Sequence, residues 1–259
     1  MAVVESERTT GAAGKTATGP AVVIIPTLNE EQSIGDVVRS IPRHLISRII
    51  VADGGSDDAT AAEAKAAGAE VIDAGRGYGR ACLAGTMAAQ DAEFVVFMDG
   101  DGADDPQGII KLLEPIAAGD CDFVIGSRTR GTREPGSIAW HQLAAGVLAG
   151  WGMRLVCGMR YTDMCAFRAI RRDALLDLRM RELTYGWNIE MQMRAARARL
   201  RILEIPVDYR RRSGGRSKVA GSLWGTMRAG ARILATFVRL STRSTMEESS
   251  GGRQREPVR

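Results

Sequence analysis

Short apolar runs that alternate with helix-period stretches constrain this chain more than any other feature of it. Ala21–Ile25 reads as a buried strand. It leads through Pro26 into a helix capped by Asn29, with Gln32 three residues on and Ile34, Val37, Val38 and Ile41 on one face. Arg48–Ala52 is a second strand, the Ala-rich stretch 58–67 a helix stopped by Gly68, and Glu70–Asp73 a third strand. The Arg80–Ala89 helix, the Glu93–Met98 strand, a helix after Pro106 and the Cys121–Ile125 strand continue the pattern. This β-α-β-α order predicts an α/β domain with a mostly parallel sheet and helices on both faces. Ligands of such sheets bind outside the carboxyl ends of the strands, so the residues there come first in a search for function.

The chain divides into a tail at 1–19, a folded part at 20–240 and a second tail at 241–259, both tails lacking an apolar stripe. Its most apolar window, Leu143–Met153, is too short to span a bilayer and is interrupted by glycines. With 45% hydrophobic and 25% charged residues, a disordered chain or a fibre is excluded. Cys82, Cys121, Cys157 and Cys165 form no C-x-x-C pair and read as small buried hydrophobes, which excludes a disulfide scaffold and suggests a cytoplasmic setting. His44 and His141 are the only histidines, too few for a multi-histidine metal site. A metal here would be held by carboxylates, which suit Mg²⁺ or Mn²⁺. The net charge of +4 is uneven: residues 194–232 hold eleven Arg and Lys against Glu204 and Asp208, a local +9 that leaves the rest near −5. On charge alone nucleic acid, an anionic membrane surface or a phosphorylated substrate suits such a segment, as does a plain solvated face; with the motifs taken into account no nucleic-acid partner is expected.

Acidic and glycine-rich turns follow the strands: Asp53-Gly-Gly-Ser56 after the second, Gly75-x-Gly77-x-Gly79 after the third, and Asp99-Gly-Asp101 after the fourth. Two carboxylates spaced by one glycine at a strand end bring oxygen ligands to one hard cation, although an Asp-Gly turn leading to a helix at Pro106 explains the same residues. The glycine loop mimics a dinucleotide-binding fingerprint, but its third glycine comes two residues after the second instead of three. A nicotinamide enzyme is the rival that this loop raises.

Taken together, VVIIPTLNEE (Val22–Glu31), IIVADGGSDDAT (Ile49–Thr60), FMDGDGADDP (Phe97–Pro106), VIGSR (Val124–Arg128), TDMCAFRAI (Thr162–Ile170) and GGRSK (Gly214–Lys218) resemble the family-2 glycosyltransferases, and most of all the dolichyl- or polyprenyl-phosphate sugar synthases. The resemblance covers about residues 20–222. It implies a GT-A fold, whose sheet is Rossmann-like, and an inverting enzyme that binds a nucleotide-diphosphate sugar. It places Pro26 and Glu30 at the nucleoside, Asp53 at the base, Asp99 and Asp101 on the metal, and Arg128 in the G-S-R element. Arg212, Ser217 and Lys218 fall near the phosphates, Asp163 falls before the G-F-R-A-like segment, and Gly77 is counted with the substrate-binding residues.

Departures from the family pattern accompany the match. Gly54 stands where the family has a second aspartate, Ala103 where lipid-phosphate mannosyltransferases often carry glutamine, and Cys165-Ala166 replaces the usual small turn. The stretch Trp140–Gly150 holds neither the Arg nor the Ser that polyprenyl-phosphate enzymes present to the acceptor phosphate. A hydroxyl acceptor would need a base, for which Asp163 is the candidate; a phosphate monoester is already anionic at neutral pH and needs none. A polyprenyl-phosphate-like acceptor is the leading expectation, with a small soluble hydroxyl compound, or nucleotide-sugar binding without turnover, as alternatives. Glu190 either faces the acceptor cleft or forms a buried ion pair. His141 either lines the acceptor side or makes an ordinary polar contact. The amphipathic pattern 219–240 fits peripheral contact with the inner face of the membrane, and equally a helix packed on the domain or on another subunit.

Overall fold

A computed structural model describes residues 19–138, 140–214 and 231–241, with the backbone alone for Trp140–Ala145. Both tails beyond these limits, most of the 219–240 pattern, Ser217, Lys218 and the side chain of His141 lie outside the described residues. The elements in chain order are β1 (Ala21–Thr27), α1 (Ile34–Ser40), β2 (Ile46–Asp53), α2 (Thr60–Ala66), β3 (Glu70–Asp73), α3 (Tyr78–Ala88) and β4 (Phe94–Phe97). They continue with α4 (Gly108–Ala117), β5 (Phe123–Ser127), α5 (Trp140–Cys157), β6 (Arg168–Arg171), α6 (Arg172–Asp177), α7 (Trp187–Arg197) and β7 (Ile202–Pro206). A further helical segment covers 231–241.

The strands form one seven-stranded sheet in the order β3-β2-β1-β4-β6-β5-β7. β1 runs parallel to β2 and β4, and β5 parallel to β7; β6 alone is reversed, paired antiparallel to both β4 and β5. Strand alternation sends Val23 and Ile25 into one buried layer with α1 and α4, and Val22 and Ile24 into a second with α3 and α7. At about 1.5–3 kcal/mol for each buried Val or Ile, a strand apolar on both faces is stable only between two helical layers.

Chain order reverses at β1, whose connections lead outward through β2 to one side while β4 lies on the other, so a crevice opens between the carboxyl ends of β1 and β4. Pro26 sits in this central strand without breaking it. Ile24 O accepts from Met98 N at 3.3 Å, so two residues on the Pro26 nitrogen faces the same side but beyond the last residue of β4, where no ladder bond is lost.

Asn29 does not cap α1. It adopts φ 52, accepts from Asp57 N at 2.9 Å and donates its own N–H to Ser56 Oγ at 2.8 Å, so it ties the turn after β1 to the turn after β2. The α1 helix begins five residues later, and its N-cap residue Ser33 donates to Gly100 O at 2.8 Å.

Candidate active site

The turn after β4 carries the densest group of carboxylates. Asp99 is partly exposed, while Asp101 and Asp104 are buried. Local geometry explains the last two: Asp101 accepts from Ala103 N at 2.9 Å, and Asp104 from Asp99 N at 3.2 Å, closing the turn on itself. The chain after β7 then runs along this turn. Arg210 N donates to Ala103 O at 2.8 Å and Ser213 N to Asp101 O at 3.0 Å, which brings Arg212 over the acids. Its guanidinium forms ion pairs with Asp101 at 2.8 Å and Glu30 at 3.1 Å. Three residues that resemblance assigned to one site, from β1, β4 and the segment after β7, are thus in direct contact.

Asp99 differs from its neighbours. Among the described residues no side chain donates to its carboxylate and no cation lies within ion-pair distance. Burial, and then the charge of Asp101, push its carboxyl up to about 7, against the opposing pull of Arg128 and Arg212. Asp104 is likewise raised, by burial and then by Asp99 and Asp101.

Asp53 shapes the neighbouring wall. Its carboxylate accepts from Ser56 N at 2.9 Å, Gly55 N at 3.2 Å and Thr27 Oγ1 at 3.3 Å, fixing the turn at the end of β2 against the end of β1. Gly54 N donates to Thr27 O at 2.8 Å, so the residue in place of a second aspartate serves the junction through its backbone.

Across the crevice, Arg128 follows β5 and Asp163 precedes β6. Arg128 donates from Nη2 at 2.8 Å to one oxygen of Asp163 and from Nε and its backbone N, both at 2.9 Å, to the other; Met164 N adds a bond at 2.7 Å. Burial favours protonation of Asp163, but the bonds from Arg128 outweigh it and hold the carboxyl below its ordinary value. A general base needs an accessible lone pair and a pKa near the working pH. With two donors on each oxygen, Asp163 offers neither in this arrangement, in which it holds and orients the Arg128 guanidinium. The opposite face of that guanidinium lies over the ring of Tyr209, at 5.0 Å from its centroid.

Tyr209 was missed by sequence reasoning. Its backbone is pinned by Thr132 O and by a bridge to Asp104, and burial, together with the nearby acids and against Arg128, raises its phenol well above the ordinary value. The one available signal was its place three residues before Arg212. Asp104 was also missed, although it stands three residues after Asp101 in the same turn.

The structure also places Gly77 and Glu190. A Cβ on Gly77 would stand 2.4 Å from Leu183 O, and one on Gly79 would stand 2.3 Å from Glu182 O. Gly77 also has φ 133, and Arg80 N donates to Leu183 O at 3.0 Å. The glycine loop thus packs closely against the 182–183 backbone, an approach that a side chain at either position would block. Glu190 is fully buried, paired with Arg194 at 2.9 Å and accepting from Arg181 N and Glu182 N, so of its two readings the ion pair is the one found.

An open α/β sheet whose switch point brings carboxylates and arginines together at the strand ends defines a protein of the GT-A glycosyltransferase class. The profile of the family described as "Glycosyl transferase family 2" matches residues 22–179, and the chain belongs to that family and is a glycosyltransferase. It is 38% identical to an uncharacterized glycosyltransferase of Mycobacterium tuberculosis, over 81% of this chain and 94% of that one. It is 32% identical to the undecaprenyl-phosphate mannosyltransferase of Micrococcus luteus, over 79% and 89% of the two chains. Among solved structures, glucosyl-3-phosphoglycerate synthase from Mycobacterium tuberculosis, in complex with Mn²⁺, UDP and glucosyl-3-phosphoglycerate, superposes with TM-score 0.69 at 24% identity, covering 92% of this chain and 87% of that one.

Proposed function

We propose that the enzyme is a metal-dependent, inverting glycosyltransferase that moves a sugar from a nucleotide-diphosphate sugar to a polyprenyl phosphate. The nucleoside rests on the β1 and β2 ends, against Pro26, Glu30 and the turn that Asp53 shapes. The diphosphate lies near Asp99 and Asp101, within reach of Arg128 and Arg212, and the R-x-x-G-x-S-K motif assigns Ser217 and Lys218, which lie outside the described residues, as further donors.

The donor set fits Mg²⁺ or Mn²⁺: hard carboxylate oxygens, with no cation within ion-pair distance of Asp99 among the described residues and with Asp101 paired to Arg212. Two carboxylates would hold such a cation while the donor diphosphate supplied further oxygen ligands. A divalent cation supplies stabilisation of the negative charge that develops on the departing nucleoside diphosphate. Arg128, held by Asp163 and Tyr209, and Arg212, held by Glu30 and Asp101, are fixed donors for that same charge and need little reorganisation during reaction.

The observation that carries the acceptor assignment is the engagement of Asp163. With that carboxylate consumed by Arg128 and two backbone amides, a hydroxyl acceptor lacks the base proposed for it, whereas a phosphate monoester oxygen attacks without one. The similarity to an undecaprenyl-phosphate mannosyltransferase supports the same acceptor class.

The test offers UDP- and GDP-sugars with Mn²⁺ to undecaprenyl phosphate, to 3-phosphoglycerate and to simple alcohols. Transfer to the lipid phosphate with inverted anomeric configuration, read by NMR of the product, is expected. Transfer confined to hydroxyl acceptors would overturn the assignment.

A further inference from the structure

Glu204 is one of only two acids in the basic stretch 194–232, and among the described residues no cation lies within ion-pair distance of its carboxylate. It is half-buried on the edge strand β7, opposite Ile125 of β5. Burial pushes its carboxyl up, against the bonds from Thr162 and the charge of Arg130, whose Nη1 donates to the Glu204 backbone oxygen at 2.7 Å. The carboxylate itself is spent on a single residue. Thr162 N lies 3.0 and 3.1 Å from its two oxygens, and Thr162 Oγ1 donates to one of them at 3.1 Å. Thr162 directly precedes Asp163, and Ser127 and Thr129 directly flank Arg128. Ser127 Oγ stands 2.7 Å from Thr162 Oγ1 and 3.0 Å from Thr129 Oγ1, and Thr129 Oγ1 donates to Thr162 O at 3.3 Å. Because Thr162 Oγ1 gives its proton to Glu204, it accepts from Ser127. The hydroxyls on both sides of Arg128 thus close on the residue before Asp163, and the network ends on a carboxylate that can only accept.

We propose that Glu204 is a positioning residue for Arg128: through Thr162 it fixes the 162–163 segment and so aims the guanidinium at the donor diphosphate. Sheet pairing alone does not do this. The ladder between β5 and β6 ends at Ile125 opposite Arg168, with one further bond from Gly126 N to Phe167 O, short of both Arg128 and Asp163. The pairing of β5 with β7 continues to Ser127 opposite Pro206, so β7 is in register up to the residue before Arg128. Glu204 carries that register across to the Asp163 side. A forked guanidinium contact such as the Arg128–Asp163 pair has to be held to about 0.5 Å to present its remaining donors in one direction. The charge matters to the hold as well as the shape. Both Glu204 oxygens lie within 3.1 Å of Thr162 N, so a glutamine there would turn an amide donor toward a backbone donor. The inference deepens the donor reading and rests on it for the place of Arg128 at the diphosphate.

Affinity for UDP and for GDP, each with Mn²⁺, is measured by calorimetry on the full chain for the wild type, Glu204→Gln, Arg128→Met and the double variant, beside the melting temperature of each. Arg128→Met is expected to weaken nucleotide binding about thirtyfold and Glu204→Gln about fivefold, while the double variant stays within about twofold of Arg128→Met alone. Thr162→Val removes only the hydroxyl link and should lose about threefold, with Thr162→Ser near wild type, which keeps the question open to test if Glu204→Gln does not fold. A merely structural Glu204 would lower the melting temperature and leave nucleotide affinity alone, or multiply its loss onto that of Arg128→Met; either result overturns the proposal. The donor reading fails on different results. A wild type that binds neither nucleotide, or an Arg128→Met variant that binds as the wild type does, removes Arg128 from the diphosphate and the proposal with it. A weakened Arg128→Met beside an unaffected Glu204→Gln and Thr162→Val removes the proposal alone.

Discussion

Asp99 and Asp163 both stand at the crevice between the sheet and its loops, yet their environments are opposed. Asp163 receives two donors on each oxygen and titrates below its ordinary value; Asp99 receives none from the described side chains and is pushed up to about 7. One charge is satisfied by contact with donors, and the other feels only the more distant pull of Arg128 and Arg212. The first arrangement stabilises the fold and aims an arginine. The second is costly to the fold and suits a residue whose charge is matched only when donor and cation arrive.

The largest expected effect tests the second arrangement. Asp99→Asn should reduce transfer about a thousandfold, a loss of about 4 kcal/mol in the transition state, while leaving urea stability equal or higher. Activity above a tenth of wild type would break the contrast. Mn²⁺ with nucleoside diphosphate should raise the melting temperature of the wild type and not of this variant.

Asp163→Asn should show the opposite signature, a loss of about 3 kcal/mol in unfolding free energy, because it leaves the Arg128 guanidinium without its carboxylate. A loss below about 0.5 kcal/mol would mean that the pair is no structural anchor. The pH dependence follows in sign. Since the folded Asp163 titrates below the ordinary carboxylate range, its contribution is full above that range and is lost as pH falls through it to the lowered folded value. The stability gap between wild type and Asp163→Asn should therefore stay constant above roughly pH 5 and narrow as pH falls below it in urea titrations, and a gap that does not narrow would show that charge is not its source.

Gly79→Ala should cost about 2 kcal/mol by forcing the 182–183 backbone away, with donor affinity nearly unchanged in the surviving folded enzyme. A selective loss of donor binding would place the glycine loop in the site. The smallest effect belongs to Tyr209→Leu, which removes the face under Arg128 and should weaken donor diphosphate binding by about 1 kcal/mol, near fivefold, with Tyr209→Phe close to wild type.

Much of the donor side was legible because it is local. The apolar runs that became β1, β2, β3 and β4 end at the turns carrying Pro26, Asp53 and Asp99, so strand ends and functional residues coincide in the linear sequence. β6 was not legible. Arg168–Arg171 begins and ends with arginine and lacks an apolar run, yet it is a central strand, with the Arg168 side chain fully buried and bonded to the Cys165 and Asn188 carbonyls. Only the surrounding layers supply those carbonyls. The packing of the glycine loop was not legible for a related reason: the backbone against it arrives from about a hundred residues later in the chain, at Leu183.

The sequence by itself determined the α/β architecture, the family and the acidic turns at the strand ends, because hydrophobic period and turn chemistry are written over spans of a few residues. Tertiary structure alone decided what each charge does. Arg212 meets Glu30 across 182 positions of chain, and Arg128 meets Asp163 across 35. Whether a carboxylate is satisfied, strained or held for a ligand depends on partners that the fold, and not the neighbouring sequence, brings within a few ångströms.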